Sequence, residues 1–110
     1  TSAGALYHIP VCKVFSLGDT IQLMRASGIA SIACSEKAEQ TIFHCDLERP
    51  MNLLFGNEGE GIDPHLLRMA KEEAMIPMKG QVGSLNVAVA CAVSLYEVVR
   101  QRDYFPKAEL

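Results

Sequence analysis

Two stretches decide the fold: LLFGNEGEGI, residues 53–62, and IPMKGQVGSLN, residues 76–86. Each begins as a short apolar run, continues as a glycine-containing loop, and leads into a helical pattern. Loops that follow buried strands are where α/β proteins bind their ligands. We therefore expect these two loops to form two walls of one small-molecule pocket.

The length and composition predict one small domain, or part of one, and exclude several classes of protein. The chain has 110 residues, of which 49% are hydrophobic and 21% charged, so it can bury a core and is not disordered. A net charge of −3 excludes a nucleic-acid binder with a basic surface all over, although a local basic patch stays possible. The longest apolar stretch, residues 87–93, is too short to cross a bilayer, so we expect no membrane partner.

The cysteines and histidines predict neither a disulfide framework nor a metal site. Cysteines occur at positions 12, 34, 45 and 91 with no C-x-x-C pair, and three of them lie in apolar runs. This pattern favours free thiols in a cytoplasmic protein over a secreted, disulfide-bonded domain. His8, His44 and His65 are too scattered in the sequence to suggest metal ligands.

The pattern of apolar residues predicts alternating strands and helices. Before residue 50 we expect strands at residues 11–15 and 29–34. Between them we expect a helix that begins with Asp19 or Thr20 as its cap and ends at Gly28. Residues 35–40 are expected to form a loop or a single helical turn, and residues 41–45 a possible edge strand. After it we expect strands at 51–55 and 74–78, a helix from Asp63 to about Glu73, and a last helix from Ser84 to about Arg102.

The last helix is apolar almost all round and is therefore expected to be buried on every side. Its small residues, 88–93, would let another backbone approach closely. Alternation of strands and helices indicates a mostly parallel sheet covered by helices on both faces.

The first loop is better suited to a cation or a hydroxyl group than to a phosphate. Gly56, Gly59 and Gly61 give the spacing G-x-x-G-x-G, which is not the dinucleotide fingerprint, and no lysine follows as in a phosphate-binding loop. Glu58 and Glu60 add negative charge. A tight turn with two solvated carboxylates explains the same residues equally well.

The second loop offers Ser84 and Asn86 at the start of the last helix. Ser84 is expected to cap that helix. Asn86 would then lie in the first turn of an apolar helix, where a buried amide needs hydrogen-bond partners. It either bonds the backbone near it or faces a ligand or a reacting hydroxyl.

Both loops resemble motifs of the SpoU-type RNA ribose 2′-O-methyltransferases of the SPOUT superfamily. Residues 53–62 are similar to the second motif of that family, and residues 76–90 to the third. Residues 2–6 and 9–11 also resemble the middle segment of proteins in that family, so the likeness runs almost from end to end.

The resemblance implies an enzyme that transfers a methyl group from S-adenosyl-L-methionine to a ribose 2′-hydroxyl of ribosomal or transfer RNA. It implies a C-terminal trefoil knot, a homodimer, and chemistry without a metal ion. Positions that match the family's cofactor-binding residues are Gly56, Ile76, Met78 and Leu85; positions that match its reaction-centre residues are Glu58, Ser84 and Asn86.

The sequence departs from the family at its start. The family's first motif, which carries a catalytic arginine, would lie upstream of Thr1, and neither Arg25 nor Arg49 replaces it. Residues 1–110 are therefore expected to form one truncated methyltransferase domain that cannot methylate RNA alone. The alternatives are a non-catalytic module of the same fold, used for cofactor binding or dimerisation, and an unrelated α/β nucleotide-binding domain.

Overall fold

The computed structural model describes residues 16–57, 59–77 and 86–104. Its elements are, in chain order, α1 (Leu17–Ala26), β1 (Ala30–Cys34), a 3-10 turn (Ile42–His44), β2 (Met51–Leu54), α2 (Pro64–Ala70), β3 (Lys71–Ala74), α3 (Val87–Val99) and a π-helical turn (Arg100–Tyr104). The strand predicted at residues 11–15 lies outside the described residues.

The three described strands form one parallel sheet in the order β2-β1-β3. The central strand β1 pairs with a neighbour on each side, so that Ile32 lies opposite Leu53 of β2 and Glu72 of β3. The predicted strands at residues 29–34 and 51–55 are confirmed, each to within one residue at one end.

Neighbouring residues of β1 point to opposite faces of the sheet and build a separate core on each. Ile32 belongs to one core with Ile42, Cys45, Leu47 and Ala74, against which Val98 of α3 packs. Ala33 belongs to the other, with Ile21 of α1, Leu54 and Ala70 of α2. Helices therefore cover both faces of the sheet, as the alternating pattern predicted.

Helix α1 begins earlier than predicted. Its N-cap is Ser16, whose hydroxyl accepts a hydrogen bond from the backbone N–H of Asp19 at 3.2 Å, so the expectation that Asp19 or Thr20 caps the helix is wrong. Asp19 instead places its negative charge in the first turn, where the helix dipole favours it. The predicted end is confirmed, because Gly28 follows with a φ of 85° that suits glycine.

Helix α2 is confirmed at its start and shorter than predicted at its end. The Asp63 carboxylate caps it by accepting from the backbone N–H of His65 at 2.8 Å, with Pro64 in the first turn. The helix ends at Ala70, because Lys71 adopts a left-handed φ of 68° and begins β3 directly. The predicted strand at 74–78 is thus displaced to Lys71–Ala74, where pairing with β1 overrides the helical propensity of the charged residues.

The prediction of a possible edge strand at residues 41–45 is wrong. This segment forms the 3-10 turn Ile42–His44, and of its residues Thr41 alone is recorded in a β-bridge, with Met75. Its apolar character has another cause, since Ile42 is fully buried in the core beneath β1. Apolar runs of this length do not distinguish a strand from a buried turn.

Helix α3 differs most from expectation. Within this single chain it is not buried all round: Tyr96 is 78% exposed and Leu95 52% exposed. The side chains it does bury are polar, namely Ser94 and Glu97. No helix among the described residues is long and apolar enough to cross a membrane.

Candidate functional site

The carboxyl ends of all three strands open into one cavity of about 320 Å³. From β2 the chain returns past β1 to reach β3, so the connections before and after β2 run in opposite directions across the sheet. Open α/β sheets bind ligands in the crevice that this reversal creates at the carboxyl edge. The cavity is small but lies within the range of ligand pockets.

The first loop closes on itself at the mouth of this cavity. Backbone hydrogen bonds join the N–H of Asn57 to the carbonyl of Gly61 at 3.2 Å and the N–H of Gly61 to the carbonyl of Asn57 at 2.9 Å. Gly61 has a φ of 73°, which suits glycine. A Cβ at Gly56 would lie 2.1 Å from the carbonyl carbon of Gly61, so no other residue fits there without moving the loop.

The structure brings two predicted cofactor-binding positions together. Gly56 and Ile76 both line the cavity, facing Val87 and Ala90 of the first turns of α3. The other predicted positions of the two loops, Glu58, Met78, Ser84 and Leu85, lie outside the described residues.

Asn86 is the N-cap of α3 rather than a residue of its first turn. Its side-chain oxygen accepts hydrogen bonds from the backbone N–H groups of Ala88 at 2.8 Å and Val89 at 3.4 Å. The prediction that Ser84 caps this helix is therefore wrong. Asn86 is exposed rather than buried. In the sequence Asn86 directly precedes Val87, which lines the cavity.

The cavity has a third wall that the sequence did not predict. Cys34, the last residue of β1, and residues 35–37, which follow it, line the cavity and add the acidic Glu36 and the basic Lys37 to its lining. Glu60 and Asn57 of the first loop add polar groups, while Phe55, Ile62 and Leu67 are apolar. No local pattern in residues 34–37 indicates this wall, because it follows from the position of β1 between the two strands that precede the predicted loops. The cavity thus offers apolar walls with charged groups of both signs.

Cys34 is a partly buried thiol in this wall. Burial raises its pKa from 9.0 to about 11, and the nearby hydroxyl of Ser94 offsets only part of that rise. Cys34, Cys45 and Cys91 are free thiols. Among the described residues no group of histidine, cysteine or carboxylate side chains could hold a metal ion.

The substitution Gly56→Ala is expected to force the first loop open. Overpacking of this kind lowers the free energy of unfolding by about 1–3 kcal/mol, measured by urea denaturation. The matched control is Gly18→Ala in α1, where the new Cβ would lie 3.6 Å from the sulfur of Met69. This control should be neutral or stabilising by up to about 1 kcal/mol. Equal stabilities of the two variants would contradict the tight approach at Gly56.

Comparison with known proteins shows where this chain belongs. The model of the SpoU rRNA Methylase family matches residues 1–96. An uncharacterized tRNA/rRNA methyltransferase of Synechocystis is 36% identical over 103 residues, which are 94% of this chain and 27% of that protein. The 23S rRNA (guanosine-2′-O-)-methyltransferase RlmB of Yersinia pestis is 37% identical over 101 residues, which are 92% of this chain and 41% of RlmB.

A solved structure agrees with the fold. The SpoU methyltransferase AviRb from Streptomyces viridochromogenes, in complex with AdoMet, superposes with a TM-score of 0.80 at 35% identity, covering 91% of this chain and 42% of AviRb. The chain therefore spans less than half the length of each of these three relatives. From the family model, the sequence identities and the shared α/β architecture, the chain belongs to the SpoU rRNA methylase family.

Proposed function

We propose that this chain is the cofactor-binding part of an S-adenosylmethionine-dependent RNA 2′-O-ribose methyltransferase. The observation that carries the proposal is the cavity at the carboxyl edge of the sheet, where Gly56 and Ile76 face α3. Both positions match cofactor-binding residues of the family. The AdoMet complex of AviRb, a relative with the same fold, supports the choice of cofactor.

The residues that line the cavity fit this cofactor chemically. The apolar groups of Phe55, Ile76 and Val87 suit an adenine ring and a thioether, and backbone groups around Gly56 lie at the surface of the cavity. Glu36 and Glu60 suit hydroxyl groups and an ammonium group, while Lys37 suits a carboxylate. Bound S-adenosylmethionine supplies a methyl group made electrophilic by its sulfonium.

The chain's task in the reaction is to hold and orient groups. The 2′-hydroxyl must lie in line with the methyl carbon and sulfur, and must lose its proton as the new C–O bond forms. Ser84 and Asn86 hold the ribose or the arginine of the family's first motif. Glu58 orients that arginine or balances charge near the sulfonium.

Two further features of the family are part of the proposal. The first is a C-terminal trefoil knot in which the helix after Ser84, with its small side chains, is the threaded segment; an experimental structure in which this helix passes through no loop would contradict it. The second is the substrate, which is ribosomal or transfer RNA. Most of the positive charge that contacts its phosphates comes from outside this chain, since this chain carries −3.

We also propose a cytoplasmic location, which recovery of the protein in a membrane or secreted fraction would contradict.

The pair Asn86→Asp and Asn86→Ala separates catalysis from helix capping. Aspartate keeps a side-chain oxygen for the N–H groups of Ala88 and Val89, whereas alanine removes the cap. In a protein extended upstream to the first motif, both variants should lose methyl transfer at least about a hundredfold. Only the alanine variant should lose stability, by about 1 kcal/mol. Full activity of Asn86→Asp would favour the alternative function, a non-catalytic cofactor-binding or dimerisation module.

The 110-residue chain alone is expected to bind S-adenosylhomocysteine without methylating RNA, because neither Arg25 nor Arg49 matches the catalytic arginine of the family's first motif. Calorimetry with S-adenosylhomocysteine, ATP and NAD tests the first part, and transfer of labelled methyl groups to bulk RNA tests the second. Preference for ATP or NAD would indicate an unrelated nucleotide-binding domain. Turnover equal to that of the extended protein would show that the upstream arginine is dispensable.

The partner proposed for the outer face of α3 is a second copy of this chain. This face presents Val89, Val93, Leu95, Tyr96 and Val99 to solvent over about three helical turns, and all five are exposed in the single chain. A continuous apolar surface of this kind marks a protein interface. A homodimer would bury it and would account for the apolar sequence all round the helix.

Tyr96→Glu is expected to dissociate this dimer, raising its dissociation constant by at least about tenfold in sedimentation measurements. The control is Leu23→Glu, a similar change at a residue of α1 that is 70% exposed. The control should leave the dimer intact. A monomeric wild-type protein, or a Tyr96→Glu protein that stays dimeric, would contradict the assignment of this face.

A further inference from the structure

The face of α3 that is turned toward the sheet is a single stripe with two different ends. Val87, Ala90, Ser94, Glu97 and Gln101 follow one another at spacings of three and four residues, so they share one side of the helix. Val87 and Ala90 line the cavity. Glu97 and Gln101 are buried at the other end, about 15 Å away along the helix axis at 1.5 Å per residue.

Gln101 joins this far end to the segment that leads into β2. Its side-chain oxygen accepts from the backbone N–H of Leu47 at 2.9 Å, and its amide nitrogen donates to the carbonyl of Cys45 at 3.1 Å. The same nitrogen donates to the carboxylate of Glu97 at 2.9 Å. Both amide hydrogens and the oxygen of this buried side chain therefore have partners, which fixes it in one orientation.

Two arginines complete the arrangement. Arg100 forms a two-bonded ion pair with Glu97 at 2.8 Å, which lowers the pKa of that buried carboxyl and keeps it ionised as an acceptor. Arg102 donates to the backbone carbonyls of Leu47 at 2.9 Å and Arg49 at 3.1 Å. We call this set of bonds, between residues 97–102 and 45–49, the polar clamp.

The middle and the cavity end of the stripe have little that could fix the position of α3. Ala90 and Ser94 carry small side chains, and small side chains make shallow ridges that do not interlock with a neighbouring surface. A helix with such a face can slide or rotate against a sheet at low cost. Directional hydrogen bonds at Gln101 oppose both movements because each bond has a preferred distance and angle.

We propose that Gln101 is a positioning residue of the cavity: the polar clamp sets the position of α3 and thereby places Val87 and Ala90 against the strand ends. Gln101 touches neither the cavity nor its ligand, and it acts through the rigid body of the helix. Its ligand-binding consequence rests on the proposed function, since the cavity is taken to hold the cofactor.

The test uses Gln101→Met in the full protein, with Gln22→Met on the exposed side of α1 as the matched control. Methionine has nearly the same length and removes all three hydrogen bonds of Gln101. Two quantities are measured: the dissociation constant of S-adenosylhomocysteine by calorimetry, and the rate at which iodoacetamide labels Cys34. Trypsin releases Cys34 in the peptide of residues 26–37, so mass spectrometry resolves it from the other cysteines.

Gln101→Met should raise the dissociation constant at least about tenfold, because a misplacement near 1 Å has effects of this size. It should also speed the labelling of Cys34 severalfold, since Cys34 lies beside Ser94 and is shielded while α3 is in place. Gln22→Met should change neither quantity. A folded Gln101→Met protein with unchanged affinity and unchanged labelling would overturn the positioning role and leave the proposed function intact.

A second combination of results would separate the positioning role from the proposed cofactor. Faster labelling of Cys34 in Gln101→Met, together with no binding of S-adenosylhomocysteine by the wild-type protein, would support the positioning of α3 and contradict the proposed cofactor. Should Gln101→Met fail to fold, Gln101→Glu keeps the acceptor for Leu47 and is measured in the same way.

A measurement on the wild-type protein keeps the inference open to refutation without any variant. Coupling between two sites is reciprocal, so ligand in the cavity should hold the polar clamp closed. S-adenosylhomocysteine should therefore slow hydrogen exchange at the backbone N–H of Leu47, and leave that of Thr20 in α1 unchanged. Ligand binding without any change at Leu47 would overturn the inference.

Discussion

The parallel pairing of β1 with strands on both sides is the constraint on which the rest of the structure depends. Ile32 and Ala33 at its centre are fully buried on opposite faces, so each residue anchors one of the two cores. Because β2 and β3 run in the same direction as β1, all three strands end at one edge. Cys34, Phe55 and Ile76, which lie at or just after these strand ends, line one cavity, so the cavity results from the parallel arrangement of the strands.

The sequence predicted those parts of the fold in which local pattern and tertiary environment agree. β1 and β2 are short, apolar and bounded by polar segments, and Asp63-Pro64 is a strong helix start that α2 uses. Prediction failed at β3, since three of its four residues are charged and favour helices, while Ala74 alone is buried. Such a strand is specified by the neighbour that it pairs with, which no local pattern records.

The sequence likewise predicted only those parts of the candidate site that a local pattern marks. Gly56 and Ile76 belong to loops with unusual sequences, and both line the cavity. Residues 34–37 have no unusual pattern, and their place in the site follows only from the strand order, which was not known beforehand. Asn86 was identified as a polar residue that needs partners, but its bonds go to the backbone of α3 because it lies one position before the helix.

Helix α3 shows why position in the assembled fold cannot be inferred from hydrophobicity alone. Its buried positions are small or polar, and its exposed positions are valine, leucine and tyrosine. Valine lowers helix propensity, and five of its thirteen residues are valine, at positions 87, 89, 93, 98 and 99. The helix is therefore poorly stabilised by its own sequence, and its stability must come from what it contacts. α3 lies beside the cavity at its start, is joined to residues 45–49 by the polar clamp at its end, and presents its outer face to the proposed second copy. A change at any one of these three places therefore alters the stability of the whole helix.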